Sequence, residues 1–218
     1  MSAPAQPVLP FPAAAHAALH AAVDRAHAGV FRRRVRVLAD AVAPLLPPAA
    51  RVLDVGCGDG AIARAILARR PDVTVEGLDV LVRPGAHIPV RAFDGVRLPA
   101  ASGSADAVLF VDVLHHAADP RALLREAARV SRGVVVIKDH LADRPLAGPT
   151  LRLMDWVGNA RHGVRLPYAY WRRAEWDGAF AEAGLRPLAW EERVPLYPGP
   201  LAPLFGRGLH FVAALGAA

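Results

Sequence analysis

The stretch Val52-Leu53-Asp54-Val55-Gly56-Cys57-Gly58-Asp59-Gly60 joins a short apolar segment to a turn in which every second residue is glycine. The helical pattern of residues 61–70 follows directly, so the sequence predicts a strand, a tight turn and a helix. Glycines allow such a turn and let a ligand approach the backbone closely. Because ligands of open α/β sheets bind at the carboxyl ends of the strands, this turn is a candidate ligand site.

The order of short apolar strand, turn and helix repeats after Pro48, which is typical of a parallel sheet with helices on both faces. The predicted strands cover residues 51–55, 73–79, 88–93, 106–112, 134–138, 185–194 and 209–215. Further helices are predicted after the Asp119 N-cap and over residues 172–183. Gly29 is predicted to separate two helices within residues 13–42. The fold class is therefore α/β, with a doubly wound sheet.

The composition agrees with one globular domain. The 218 residues can bury a hydrophobic core, and 54% apolar residues with a mean hydropathy of +0.25 exclude a largely disordered chain. Residues 1–48 are predicted to form an N-terminal arm and helical cap. Residues 49–218 are predicted to form the main domain, which an insertion at residues 141–170 interrupts.

The positive charge is spread along the chain. All but one of the 26 basic residues are arginine, and the formal net charge is +6. The densest run, residues 32–36, favours a solvated helix face over contact with phosphates or an acidic membrane. The single cysteine, Cys57, cannot form an intramolecular disulfide, which favours a reducing compartment. Because no apolar run of about 18 residues and no leader pattern is found, we expect a cytoplasmic protein with no membrane partner.

Asp54 indicates the charge of the ligand. With Ala61, the glycine turn also fits the relaxed dinucleotide pattern G-x-G-x-x-A. A carboxylate at this strand end would repel a pyrophosphate but attract a positively charged ligand. S-adenosylmethionine carries an ammonium and a sulfonium group and no phosphate, so Asp54 favours it over a dinucleotide.

The stretch that begins at Val52 resembles motif I of the class I S-adenosylmethionine-dependent methyltransferases. The similarity covers about residues 50–138. It implies a Rossmann-like, seven-stranded and mostly parallel sheet whose last strand is antiparallel. It also implies that S-adenosylmethionine is the cofactor and that Asp54, Gly56 and Gly58 contribute to its site.

The same resemblance gives roles to residues after the next three predicted strands. Asp79 would accept hydrogen bonds from the ribose hydroxyls, and Asp94 with Gly95 would meet the adenine. Asp112 follows the fourth strand, in a segment similar to that of the small-molecule members of the family, and is taken as a further cofactor residue. Val80 would pack on the adenine, although the segment after it is too short for the usual helix between the second and third strands.

Methyl transfer from a sulfonium is an in-line displacement, which depends mainly on holding the acceptor close to the methyl group. A general base helps only where the acceptor atom carries a proton. His115, His116 and His140 follow the fourth and fifth predicted strands, and histidine titrates near neutral pH. We take His115 and His140 as candidate catalytic residues. The alternatives are that the first two histidines only begin a turn and that Lys138-Asp139-His140 is a surface turn.

The insertion at residues 141–170 is expected to form a lid over the acceptor. Asp155, Asn159 and His162 would share one face of a helix. Aromatic residues accompany them, namely Trp156, Tyr168, Tyr170 and Trp171. Polar and aromatic groups together suit a small, partly flat acceptor, whereas a solvated helix packed by its aromatics is the alternative.

We therefore predict a methyltransferase that acts on a small-molecule acceptor, with no nucleic-acid partner and no assigned oligomeric state. A nucleic-acid methyltransferase is the enzyme alternative, but Asp112-Val113-Leu114-His115 replaces the Asn/Asp-Pro-Pro-Tyr/Phe stretch typical of base methylation. A nonenzymatic S-adenosylmethionine-binding module would carry the same motifs. Asp54 and the lack of a Ser-Tyr-Lys arrangement around Lys138 oppose an NAD-dependent dehydrogenase. The nine histidines lack a paired Cys/His spacing, so no metal site is predicted.

Overall fold

Seven strands form one sheet in the computed structural model, which describes residues 13–159 and 166–218. In chain order they are β1 (Arg51–Val55), β2 (Thr74–Asp79), β3 (Val90–Ala92), β4 (Ala105–Val111), β5 (Ser131–His140), β6 (Leu185–Glu191) and β7 (His210–Ala217). Their order across the sheet is β3-β2-β1-β4-β5-β7-β6. The third strand is shorter than predicted, and the fifth strand extends beyond both predicted ends.

The pairing confirms the predicted strand directions. β1 pairs in parallel with β2 and β4, and parallel pairing continues from β2 to β3 and from β4 to β5. β7 lies antiparallel between β5 and β6. The sheet is therefore mostly parallel with an antiparallel last strand. Its ligand-binding edge is the one at which β1, β2, β4 and β5 end.

Six α-helices accompany the strands in the described ranges. They are α1 (Ala13–Val42), α2 (Ala61–Leu67), α3 (Pro120–Val130), α4 (Ala147–Asn159), α5 (Arg173–Glu182) and α6 (Ala202–Phe205). None of the helices in residues 13–159 and 166–218 combines the length and the hydropathy needed to cross a lipid bilayer.

Helix α1 corrects one expectation, because Gly29 lies inside a continuous helix and does not separate two helices. An isolated glycine costs a helix only about 1 kcal/mol relative to alanine. The alanines and arginines on both sides are strong helix formers and outweigh this cost.

Hydrophobic cores on both faces of the sheet confirm the doubly wound arrangement. Along β4, Ala107 and Leu109 contact the core that α1 and α2 cover, whereas Val108 and Phe110 contact the core that α3 and α5 cover. This alternation follows from the two-residue period of a strand. The predicted apolar stripe of α3 is buried as expected, with Leu123, Leu124, Ala127 and Val130 inside.

The C-terminal end of α1 packs into the core on one face of the sheet. Leu38, Ala39 and Val42 are fully buried, and the latter two share a core with β1, β4 and β5. The boundary between a cap at residues 1–48 and a domain at 49–218 stays a prediction. The expected N-terminal arm, residues 1–12, lies outside the described residues.

The arginine run of α1 is only partly a solvated face. Arg33 donates a hydrogen bond of 3.0 Å to the carbonyl of Pro195, and Arg34 forms an ion pair with Asp112 at the end of β4. Arg32 and Arg36 are exposed, as expected. Helix α1 therefore brings one positive charge to the ligand-binding edge of the sheet.

The loop between β2 and β3 agrees with the sequence. Residues 80–89, all of which the structure describes, contain no helix. Residues 80–82 leave their apolar side chains about half exposed or more. A surface-accessible loop therefore follows Asp79 directly.

Candidate active site

The glycine turn after β1 has the backbone conformation that its sequence predicts. Gly56, Gly58 and Gly60 have φ angles of 71°, 61° and 76°, which side-chain-bearing residues rarely adopt. A Cβ on Gly56 would lie 2.5 Å from the side chain of Val113, and one on Gly60 would lie 2.6 Å from Ile88. A Cβ on Gly58 would meet no heavy atom of the described residues within 4 Å. The turn is therefore packed at both ends and open in the middle.

Asp54 lies beneath this turn, at the end of β1, and only 3% of its surface is exposed. Burial, and then the nearby charge of Asp79, raises the pKa of Asp54 to about 7. A buried carboxylate of this kind is stabilised by a cation placed beside it. Asp54 and the open position at Gly58 fit the positively charged amino-acid end of S-adenosylmethionine.

Asp79 closes the turn from the neighbouring strand. Its Oδ2 accepts a hydrogen bond of 2.8 Å from the Gly58 amide, and its Oδ1 accepts one of 2.8 Å from the Leu81 amide. The carboxylate therefore fixes the glycine turn and the loop after β2 together. This position is consistent with the expected contact to a ribose.

Asp94 and Gly95, for which the resemblance predicts contact with the adenine, lie at a bend after β3. Oδ1 of Asp94 accepts hydrogen bonds of 2.8 Å from the amides of Val96 and Arg97, which lower the pKa of this carboxyl. Gly95 has a φ angle of 79°, and a Cβ there would lie 3.2 Å from the side chain of Val80. Val80 is 65% exposed, so it offers an apolar surface beside this turn.

A set of buried polar residues lies at the carboxyl end of β5 and just past the end of β4, and we call it the buried polar cluster. Its members are His115, Lys138, Asp139, His140, Asp155 and His210, each at most 5% exposed. Lys138 and the two residues after it belong to β5 and pair with β7, with His140 opposite His210. They therefore do not form a surface turn.

His115 is held between two carboxylates. Its Nδ1 lies 2.6 Å from Oδ1 of Asp139, and its Nε2 faces Oδ1 of Asp155 at 3.5 Å. Burial disfavours the charged ring, but the charge of Asp139 and then that of Asp155 outweigh it and raise the pKa of His115 to about 9. The hydroxyl of Tyr170 donates a hydrogen bond of 2.5 Å to the other oxygen of Asp155.

His140 has the opposite electrostatic environment. Burial, and then the charge of Lys138, lowers the pKa of His140 well below its ordinary value. Its Nδ1 lies 3.1 Å from Nδ1 of His210, and its Nε2 lies 3.5 Å from Oδ1 of Asp112. The two candidate catalytic histidines thus lie in contact, with ring centroids 4.5 Å apart, but differ in charge at neutral pH.

Asp112 lies among these charges. It has a φ angle of 55°, accepts a hydrogen bond from Nζ of Lys138 and forms an ion pair with Arg34. Burial, and then the charge of Arg34, lowers the pKa of Lys138 well below its ordinary value. The predicted cofactor role of Asp112 stays a prediction, since its observed partners are side chains of α1 and β5.

The structure therefore groups the predicted residues in two places. The glycine turn, Asp54 and Asp79 form one group, with Val80, Asp94 and Gly95 beside it. The two histidines and Asp112 form the other. Sequence analysis missed Arg34 and His210, and it gave Asp139 no role. For Asp139, the polar end of the predicted fifth strand was a signal in the sequence.

The insertion contributes both a cluster residue and a cavity. Asp155 of α4 is buried, whereas Trp156 beside it is 58% exposed, and His162 lies outside the described residues. A cavity of about 580 Å³ borders α4, with walls formed by Ala142, Gly148, Pro149, Arg152, Tyr168 and Tyr170. Its volume is within the range of small-molecule sites. Tyr170 connects the cavity to the cluster, because its ring centroid is 5.8 Å from those of both His115 and His140.

Comparison with known proteins identifies the family. A family model described as a methyltransferase domain matches residues 30–189, which is most of the chain. The chain belongs to the class I S-adenosylmethionine-dependent methyltransferases. The seven-stranded, mostly parallel sheet and the glycine turn are the parts of this chain that the sequence predicted.

Individual relatives agree with the family. A protein named as an uncharacterized methyltransferase of Mycobacterium sp. (strain KMS) is 32% identical over 139 residues, which are 60% of this chain and 55% of the relative. The 27-O-demethylrifamycin SV methyltransferase of Amycolatopsis mediterranei (strain S699) is 34% identical over 121 residues, which are 48% of this chain and 44% of that one. The chain spans about half the length of the curated relatives it matches.

A solved structure supports the fold. The S-adenosylmethionine-dependent methyltransferase from Aquifex aeolicus has a TM-score of 0.59 to this chain at 17% identity. The superposition covers 86% of this chain and 93% of that one.

Proposed function

We propose that this methyltransferase transfers the methyl group of S-adenosylmethionine to a small-molecule acceptor. The observation that carries the proposal is the open glycine turn at Gly58, with buried Asp54 beneath it and Asp79 closing it. A carboxylate whose pKa burial raises to about 7 favours a cationic ligand, and a turn with room above its backbone admits one.

Each part of the cofactor would have a group of this chain to meet it. Asp54 and the amide side of the turn would hold the amino-acid end, Asp79 the ribose, and Asp94 with Gly95 and Val80 the adenine. When bound, the cofactor supplies an electrophilic methyl group on a sulfonium. The protein's part is to hold the acceptor in line with that methyl and to exclude water.

The cavity beside α4 is the proposed acceptor site. Tyr168 and Tyr170 line it, and the guanidinium of Arg152 lies 5.5 Å from the ring centroid of Tyr168. Aromatic walls with one positive charge suit a small organic molecule with a flat or acidic part. The name of the Amycolatopsis relative gives 27-O-demethylrifamycin SV as its acceptor, which supports a small molecule with a reacting hydroxyl.

His115 and His140 are the proposed proton-handling residues for such a hydroxyl. Both rings are buried behind Tyr170, which lines the cavity and lies 5.8 Å from each of them, so an acceptor in the cavity would reach them past this side chain. His115 is aligned by Asp139 in the manner of a histidine–carboxylate pair. If either residue handles the proton, replacing it with glutamine will lower kcat more than it raises KM.

Calorimetric titration with S-adenosylhomocysteine tests the cofactor site. An Asp79→Asn variant should bind about 10- to 100-fold more weakly than the parent, because it loses a charge-assisted hydrogen bond. Asp40→Asn removes an exposed carboxylate whose partner is Arg69 and should leave the affinity unchanged. No binding by the parent, or stronger binding of NAD, would overturn the proposal.

A turnover assay tests the proposed transfer of the methyl group to a small-molecule acceptor. Incubation with labelled S-adenosylmethionine and a panel of hydroxylated aromatic and polyketide acceptors should transfer label to at least one of them. Cofactor binding without transfer to any member of a broad panel would favour the nonenzymatic module instead.

A further inference from the structure

Two histidines and one carboxylate from distant parts of the chain converge at the edge of the buried polar cluster. His115 and His116 form the turn after β4, and Asp155 comes from α4. One ligand-type atom of each residue lies within 4.8 Å of the corresponding atoms of the other two. The ring centroids of the two histidines are 4.0 Å apart.

His115 is oriented toward this meeting point by the residue behind it. Asp139 lies 2.6 Å from Nδ1, so the hydrogen bond that joins them keeps a proton on that nitrogen, and Nε2 is the atom that a metal ion would bind in place of its own proton. Nε2 is buried, faces Asp155 at 3.5 Å and has no hydrogen-bond partner among the described residues. A buried nitrogen without a hydrogen bond is costly unless another group completes it.

Asp155 is oriented in the same way. Tyr170 donates a hydrogen bond to Oδ2, which holds the carboxylate with Oδ1 toward His115. Two of the three converging groups therefore have a supporting hydrogen bond on the side away from the meeting point. Such supporting partners are the usual surroundings of metal ligands, and carboxylate–histidine–metal chains are the commonest form.

The spacing also suits a metal ion. Bonds of about 2.0–2.2 Å to imidazole nitrogen and carboxylate oxygen place two ligands of one ion ~3–4 Å apart. The 3.5 Å between His115 Nε2 and Asp155 Oδ1 is already in this range, and small side-chain rotations would bring in His116. Two imidazoles and one carboxylate select a divalent transition metal over Mg²⁺ or Ca²⁺, which prefer oxygen ligands.

The charges around the site permit a cation. Lys138 and Arg34 are the nearby positive groups, and both pair with Asp112. Asp139 and Asp155 provide two negative charges on the side of His115. The other possible set, His115 with Asp139 and His140, is less suitable because the hydrogen bond to Asp139 already occupies Nδ1 of His115.

We propose that His115, His116 and Asp155 bind one divalent transition-metal ion, with Asp139 and Tyr170 as the residues that position the ligands. The site would lie beside the acceptor cavity, since Tyr170 belongs to both. A metal at this place would leave coordination positions for an oxygen atom of an acceptor, and with both nitrogens of His115 occupied, His140 would remain as the proton-handling residue. Metal binding itself does not depend on the proposed methyl transfer.

The test is metal binding to protein freed of metal with a chelator and then titrated with Zn²⁺ alone, without cofactor or acceptor. We expect one Zn²⁺ per chain by elemental analysis after desalting, and a rise in melting temperature with the metal concentration. Co²⁺ in place of Zn²⁺ should give visible absorption bands that report nitrogen and oxygen ligation.

Variants assign the ligands. His116→Asn and Asp155→Asn should abolish one-to-one binding, and Asp139→Asn should weaken it about 10- to 100-fold as a positioning residue. The matched control is His87→Asn, which removes an exposed histidine near Arg64 and should bind Zn²⁺ like the parent. Binding of S-adenosylhomocysteine by the same variants shows that they fold and separates this site from the cofactor site.

The outcomes decide the proposal. No stoichiometric Zn²⁺ or Co²⁺ on a parent protein that binds S-adenosylhomocysteine would overturn it. Undiminished metal binding by both His116→Asn and Asp155→Asn would also overturn it, because the metal would then lie elsewhere. Loss of binding in these two variants, with binding retained in His87→Asn, would confirm it.

Discussion

Asp54 shows how one residue can limit the choice of ligand. The sequence places a carboxylate at the end of a strand, directly before a glycine turn, and the structure shows that it is buried there. Burial and the charge of Asp79 raise its pKa to about 7, so at neutral pH the carboxylate is about half protonated. A cationic ligand would stabilise the charged form, whereas a phosphate would not.

The raised pKa of Asp54 predicts a pH dependence of stability. The folded protein holds a proton on Asp54 up to about pH 7, whereas the unfolded chain releases it near pH 4. The contribution of Asp54 to the free energy of unfolding therefore falls as the pH rises from about 4 to 7, by up to roughly 4 kcal/mol in total. Urea unfolding at pH 5 and pH 7.5 measures this change.

Asp54→Asn provides the comparison for that experiment. The amide has a similar shape and does not titrate, so the variant should lose less stability than the parent between the two pH values. A fall of the same size in both proteins would mean that other groups cause it.

His115 shows what a single residue cannot reveal. In the sequence it is one of two adjacent histidines after a strand, and a simple turn is a sufficient explanation. Its environment comes from Asp139 on the neighbouring strand and Asp155 on a helix 40 residues further along the chain. Only the folded chain brings these carboxylates together.

Among the elements, the glycine turn offers the most direct test of where the cofactor binds. Gly58 has room above it, so Gly58→Ala should weaken S-adenosylhomocysteine binding by filling that space. The alanine would also have to adopt the positive φ angle of Gly58, which should lower the stability of the variant by about 1–2 kcal/mol. Gly56→Ala should cost more stability, because its new Cβ would also clash with Val113. Calorimetry and urea unfolding measure the two effects.

Gly184 is the matched control for this pair. It also has a positive φ angle and nothing within 4 Å in the described structure, but it follows α5, away from the turn. Gly184→Ala should lose similar stability to Gly58→Ala and keep the parent's affinity. Equal affinity in all three variants would contradict a ligand above Gly58.

The elements were predictable to the extent that local patterns determine them. Short apolar runs between turns and the Asp119 cap gave the strands and α3 to within a few residues, because these signals act over a few positions. Gly29 was misread because a single glycine is weaker than the helix around it. The partnership of His140 with His210 could not be predicted, since the register of β5 against β7 is a tertiary property.

At the scale of the whole molecule, α1 links the N-terminal segment to the sheet. Leu38→Ala should lower the free energy of unfolding by about 2–5 kcal/mol, because this α1 side chain is fully buried in a cluster with Val212 of β7. Phe31→Ala on the same helix removes a side chain that is 45% exposed and should cost about 1 kcal/mol or less. Urea unfolding of the two variants makes the comparison. Equal, small losses would show that α1 is a dispensable cap.

The position of β7 has a consequence for how the chain is made. Within residues 13–159 and 166–218, β6 is an edge strand that pairs with β7 alone, and β7 comes later in the chain. During synthesis, residues 185–191 therefore leave the ribosome before the strand that will hold them exists. Until residues 210–217 follow, one edge of β5 remains unpaired and open to other chains. The antiparallel part of the sheet, β7 with β6, can thus form only after translation has passed residue 217. A nascent chain stopped before that point is exposed to aggregation.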